Sequence, residues 1–217
     1  MALEVAVVGG HGKIALRFLR LLSERGDRGR GLIRNPDHAA DVEATGATAV
    51  GADIENLDAD ALARSIAGVD AVVFAAGAGP GSGPARKRTV DYGGAVKLID
   101  AAQMNDISRY LIVSAIGANR PERWSDEMRP YYEAKAEADA ELMKSGLEYT
   151  VVRPGGLTDD SGTGTIDAAE RLGHSGRIPR EDVAATLVGC LDEPATIRRG
   201  FDLLSGETPI GEALAAL

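Results

Sequence analysis

The chain of 217 residues holds one cysteine, three histidines and few aromatic side chains, which make up only 4% of it. The lone Cys190 excludes an internal disulfide framework, and His11, His38 and His174 are too scattered for a metal-ligand cluster, so no metal is expected. Scarce aromatics leave the core to Ala, Val, Leu and Ile and argue against a stacking platform for single-stranded nucleic acid. Positive charge is also short. With 24 Lys and Arg against 33 Asp and Glu, the formal net charge is -9, and no concentrated basic face exists to meet a phosphate backbone. Long apolar runs are missing too. The first, residues 5–8, is far too short to span a membrane or act as a signal core, and no cationic leader precedes it. A reduced, cytoplasmic chain without membrane or nucleic-acid partners is expected.

What the chain does contain is a series of short Val- and Ile-rich runs at 5–8, 31–33, 48–50, 71–75, 110–113 and 149–152. Between them lie stretches of helical periodicity, such as Ile14, Ala15, Phe18, Leu19 and Leu22. Continuous apolarity means that both faces of each strand are covered, which predicts a Rossmann-like, doubly wound parallel α/β sheet. At roughly 100 to 200 residues per domain, 1–217 is one domain. After Arg153-Pro154 the pattern loosens into a Gly, Thr and Ser stretch, followed by a helix near 181–191 and a strand near 201–204. Residues 154–217 therefore read as a small C-terminal, substrate-side cap, because ligands of such sheets lie beyond the carboxyl ends of the strands. Residues 77–84 form a Gly/Pro loop after the fourth strand.

The first chemistry-bearing stretch is Gly9-Gly10-His11-Gly12-Lys13-Ile14, between the first strand and the first helix. Glycines permit a tight turn and let backbone N–H groups approach a pyrophosphate at the positive end of the helix, although such turns also arise for steric reasons alone. Where an NAD-binding chain would carry an acid after the second strand, this one has Arg34-Asn35. A guanidinium can pair with a 2′-phosphate through two hydrogen bonds, so NADP(H) is expected, with Lys13 a possible addition to the pocket. Asp53 and Ile54 follow the third strand, as acceptor and apolar wall for adenine, or with Asp53 as a turn or capping residue. Ala76, Gly77 and Ala78 follow the fourth, where small side chains allow close approach of a ribose.

Ser114 ends the fifth strand, and Tyr131 and Lys135 follow at the i, i+4 spacing that shares a helix face. Lys135 is expected to lower the Tyr131 phenol and to bind ribose hydroxyls, with Ser114 orienting the substrate oxygen and Tyr131 exchanging a proton with it. Tyr and Lys at this spacing also simply pack or snorkel. Tyr132 is the rival phenol, at the wrong spacing. Cys190 falls on an apolar helical face with Val183 and Leu187 and reads as a core thiol. Arg86-Lys87-Arg88 reads as a solvated patch, the alternative being the rim of an anion-facing loop. Trp124 either lines a pocket or seals its loop.

Taken in order, GGHGKIA, Leu32-Ile33-Arg34, Ala52-Asp53, FAAGAG, VDYGGAVKLIDAA, Val113-Ser114, YEAK, TVVRPGGLT and PREDVA resemble the atypical short-chain dehydrogenase/reductases. The likeness is to the compact NAD(P)H-binding group related to biliverdin reductase B (flavin reductase) and NmrA-like proteins. The resemblance implies an NADP-dependent Rossmann protein in which Gly9, Gly12, Lys13 and Arg34 hold phosphates, Lys135 holds a ribose, and Pro154, Gly155 and Gly156 approach the nicotinamide. Asp91 stands where many relatives carry an asparagine of a proton relay. The expected activity is hydride transfer to a small carbonyl, quinone or flavin-like acceptor by a monomer or homodimer. The alternative is a non-catalytic NADP-binding redox sensor of the NmrA-like kind, and the short C-terminal part leaves little room for the nucleotide sugar of an epimerase.

Overall fold

A computed structural model describes residues 2–79 and 81–217; Pro80, within the expected 77–84 loop, lies outside the described residues. The first half alternates as the apolar runs require: β1 (Glu4–Val8), α1 (Lys13–Glu24), β2 (Arg28–Ile33), α2 (Ala39–Glu43), β3 (Thr48–Gly51), α3 (Ala59–Ser65) and β4 (Ala71–Phe74). There follow a short α4 (Pro84–Arg86), a π-helical turn (Lys87–Tyr92), α5 (Gly93–Met104), β5 (Arg109–Val113), α6 (Arg129–Lys144) and β6 (Glu148–Pro154). The chain ends with β7 (Gly156–Thr158), β8 (Thr165–Ala169), β9 (Arg177–Pro179), α7 (Arg180–Asp192), β10 (Arg199–Ser205), β11 (Thr208–Pro209) and α8 (Ile210–Ala215).

The main sheet has the order β11-β8-β10-β6-β5-β4-β1-β2-β3, parallel from β10 to β3. Successive strand residues point to opposite faces, so one sequence run feeds two cores. Val5 and Val7 pack with Phe18, Leu19, Leu22, Val183 and Leu187 beneath α1 and α7. Ala6 and Val8 pack with Leu62, Leu98 and Leu142 beneath α3, α5 and α6. Cys190 is fully buried in the first core, and burial pushes its thiol up to about 12. This is the expected doubly wound sheet. Its order reverses between β1 and β4, where such sheets open a crevice at the carboxyl ends of their strands.

The C-terminal residues divide between the main sheet and a separate two-stranded ribbon. β10 adds in parallel beside β6, while β8 pairs antiparallel with both β10 and β11. These antiparallel strands escape the apolar-run reading because β8, Thr-Ile-Asp-Ala-Ala, buries only Ile166 completely. Immediately past β6, β7 pairs with β9 as a separate two-stranded ribbon. Asp182, buried at the start of α7, accepts hydrogen bonds from the amides of Thr163 (3.0 Å) and Gly164 (2.9 Å) and so ties down the loop between β7 and β8.

Candidate functional site

The turn between β1 and α1 is built by glycines whose missing side chains face backbone. Gly9 has φ +83°, in the left-handed region, and a Cβ there would lie 2.7 Å from Ala76 Cα on the loop after β4. A Cβ on Gly10 would lie 2.6 Å from Gly31 Cα in β2. Gly12 caps α1, its amide donating to Gly9 O at 2.8 Å. No side chain caps α1 and no acid sits in its first turn, so the positive end of the helix is left for an external anion.

Beside this turn lies a cavity of about 340 Å³, formed where β1 to β4 end. Gly9, His11 and Gly12 line it from the turn, and Arg34 from beyond β2. Asp53 and Ile54 follow β3 in its wall, and Ala76, Gly77 and Ala78 follow β4. Three expected contributors lie elsewhere. Gly10 is buried against β2, Ile14 belongs to the core, and Lys13 is ion-paired with Asp159 of the loop after β7, which also binds Arg180 at 2.9 Å. These cations hold the Asp159 carboxyl below its ordinary value, with the Lys13 hydrogen bond the largest cause.

Arg34 is exposed and, among the described residues, pairs with no carboxylate. Asp53 serves its turn as well as the wall, its carboxylate accepting from Glu55 N at 3.1 Å and from Asn56 Nδ2 at 2.8 Å. Two contributors escape the sequence reading. Lys97, on α5, donates to the carbonyls of Ile54, Glu55 (3.1 Å) and Leu57 (2.9 Å), and so fastens the wall after β3. Arg86 lines the cavity and pairs with Glu55 at 3.3 Å, which favours the loop-rim reading of the basic patch for this one member. Glu55 stands below its ordinary value through the Thr89 hydroxyl first and Arg86 second. Arg88 points away to Glu137, and Lys87 to Ser82 O at 2.9 Å.

Ser114 and Lys135 meet at the end of β5, with Tyr131 one turn before Lys135 on α6, and none of the three lines the cavity. Lys135 is 4% exposed; its Nζ lies 3.3 Å from Asp91 Oδ1 and 3.2 Å from Val113 O. The π-helical turn carries Asp91 inward, as such turns often do at functional sites, and its other oxygen accepts from Ala78 N at 3.0 Å. The lysine's charge is thus already met. The Tyr131 phenol accordingly stands above its ordinary value and not below it as expected, because burial outweighs Lys135 and Asp91 opposes the lysine.

Ser114 Oγ donates to Asp139 Oδ2 at 3.0 Å, and the same oxygen accepts from Arg153 Nε at 3.1 Å. Burial raises the Asp139 carboxyl, with Arg153 and Ser114 opposing. Asp139 was legible in principle, since Tyr131, Lys135 and Asp139 continue one i, i+4 series along α6. Trp124 stacks on Tyr132 with centroids 5.9 Å apart and donates to Gly117 O at 2.8 Å, sealing its loop. Pro154 ends β6, its carbonyl accepting from Ile116 N at 2.9 Å. Gly155 follows with no room for a side chain, as a Cβ there would lie 2.6 Å from Gly176 O; Gly156 opens β7. None of these three lines the cavity.

A glycine turn at the switch point of a parallel sheet, backed by an uncapped helix and a cavity with a free guanidinium, defines a Rossmann-type dinucleotide-binding protein. The chain belongs to the NAD(P)H-binding family, whose profile matches residues 9–194. It is 42% identical over 216 residues to the uncharacterized sugar epimerase YhfK of Bacillus subtilis, covering 99% of this chain and 100% of that protein. A Bacillus halodurans structure described as an NAD-dependent epimerase/dehydratase superposes with TM-score 0.94 at 35% identity, covering all of both chains. The oxidoreductase ylbE of Lactococcus lactis superposes with TM-score 0.87 at 30% identity, covering 99% of this chain and 96% of that one. Among the described residues, no group of three or more His, Cys, Asp or Glu side chains could hold a metal, and no helix is long and apolar enough to cross a membrane.

Proposed function

We propose that the chain is an NADP(H)-dependent reductase that passes hydride to a small carbonyl, quinone or flavin-like acceptor. The observation that carries this reading is the exposed guanidinium of Arg34 at the cavity wall beyond β2, where a carboxylate would suit NAD. The residues present fit the cofactor: α1 starts after Gly12 with no capping side chain and no acid in its first turn, which leaves its leading amides for a pyrophosphate. When bound, the nicotinamide supplies the hydride. Gly9 and Gly12 receive the pyrophosphate, Arg34 the 2′-phosphate, and Ala76 to Ala78 the adenosine side of the cavity. Lys135, fixed by Asp91 and Val113 O, holds the far ribose at the entrance to the cap. Tyr131 keeps its proton at neutral pH and donates it to the reduced acceptor. Ser114 orients the acceptor oxygen by turning its hydroxyl proton from Asp139 to it.

The Bacillus halodurans relative is described as an NAD-dependent epimerase/dehydratase, but a β7–β9 ribbon and one tied loop are a small enclosure for a sugar nucleotide, which favours a small acceptor. Single-turnover oxidation of NADPH against a panel of quinones, flavins and small carbonyls tests the reading. Tyr131→Phe should lose about 100-fold or more in rate; undiminished turnover would make the tyrosine incidental. Arg34→Ala should weaken NADPH roughly tenfold and leave NADH unchanged. An unchanged ratio would remove the NADP preference.

A second reading, a cofactor-binding sensor, is favoured by the prior commitment of Ser114 and Lys135 to protein partners. Tight NADPH binding without turnover of any acceptor, together with cofactor-dependent capture of a partner, would select it.

A further inference from the structure

The cavity wall beyond β2 carries more than Arg34. His38, ending the turn that follows Arg34 and Asn35, lies flat against His11 of the glycine turn, with ring centroids 3.7 Å apart and planes at 16°. Both rings line the cavity. His11 Nε2 is 2.8 Å from Asp41 Oδ2, so one charge on the stack has a compensating carboxylate. Two charges at this separation repel, and a second proton needs a second anion. Asp37 lies within the same short turn, and Asp53, Glu55 and Arg86 stand on the facing wall, with Glu55 and Arg86 paired to each other. The remaining cation on this wall is Arg34.

We propose that His38, stacked on His11, is a specificity-determining residue for the adenosine 2′-phosphate, and that the stack takes up a proton when NADPH binds but not when NADH binds. The inference rests on the NADP(H) reading of this cavity. The 2′-phosphate is a dianion at pH 7.5, since its second ionisation lies near 6. Placing the dianion beside Arg34 and His38 favours the imidazolium. The proton comes from solvent and no covalent bond changes. NADH, with a free 2′-hydroxyl, brings no charge that would draw it.

Isothermal calorimetry at pH 7.5 in buffers of different ionisation enthalpy counts the protons directly. NADPH should take up roughly half a proton and NADH none. His38→Gln should abolish the uptake and weaken NADPH about fivefold, with NADH affinity as the control for an intact cavity. Because the chain has only three histidines, ring-proton NMR with and without NADPH follows each one and should show His38 moving to the charged form. Zero uptake with NADPH, equal uptake with NADH, or undiminished uptake in His38→Gln each overturns the proposal while leaving the cofactor assignment standing. NADPH binding no tighter than NADH, indifferent to Arg34→Ala, overturns the cofactor assignment and the proposal with it.

Discussion

The two ends of the candidate site are built on opposite electrostatic principles. At the end beyond β2, Arg34 stands exposed beside a cavity of about 340 Å³ and pairs with no carboxylate among the described residues. At the end of β5, the charges are buried and already matched: Lys135 with Asp91, and Arg153 with Asp139. The open end keeps a charge in reserve for a ligand, at little cost because water solvates it. The closed end cannot keep an unpaired charge, since desolvation would be several kcal/mol per ion, so it supplies its own partners. Charge at the first end is open to a ligand, whereas charge at the second ties α6 to β5, β6 and the π-helical turn.

Removing one partner at each end breaks this comparison most severely. Asp139→Ala would leave Arg153 buried and alone, and should cost about 3–5 kcal/mol in chemical denaturation. Arg34→Ala should stay within about 0.5 kcal/mol of the parent protein. Comparable losses at both ends would abolish the distinction. Asp139→Asn sharpens it through pH. Because burial holds this carboxyl above its ordinary value, the folded state keeps the proton to higher pH than the unfolded chain. Its contribution to stability therefore falls as pH rises from the unfolded carboxylate value towards the raised folded one, and the amide should flatten that segment of the stability curve.

Next in size is Gly10→Ala, whose new Cβ would meet backbone of β2 on a face turned away from the cavity. A loss of about 3 kcal/mol, seen as a lower melting temperature, is expected from overpacking a site that cannot yield. A variant that melts normally and loses only cofactor affinity would return Gly10 to the binding surface. The smallest effect is Asp91→Asn. Relieved of its carboxylate, Lys135 should lower the Tyr131 phenol, read as tyrosinate absorbance appearing at lower pH than in the parent protein. An unmoved titration would show that the aspartate does not govern that phenol.

Much of this was legible beforehand. Apolar runs at 5–8, 71–75 and 110–113 became β1, β4 and β5, because a strand covered on both faces must be apolar throughout. The glycine turn fell between strand and helix, as its spacing required. Lys97 was not legible, since a lysine on an amphipathic helix shows no sign that three carbonyls of a distant loop will meet its ammonium. Strand β8, one in from the edge of the sheet, was hidden because only Ile166 of its five residues is completely buried.

By itself, then, the sequence determined the alternation of strands and helices through β6, the class of sheet they form, the turn that opens onto the crevice and the absence of an internal disulfide, all of which follow from local periodicity and residue type. Only the tertiary structure decided which charges remain available. Lys13 and Arg34 look equally suited to a phosphate when written in a line, yet one is engaged by Asp159, 146 residues away, and the other faces the cavity. Ion pairing of this kind depends on which side chains the closed fold brings within a few ångströms, a distance that no local pattern along the chain encodes.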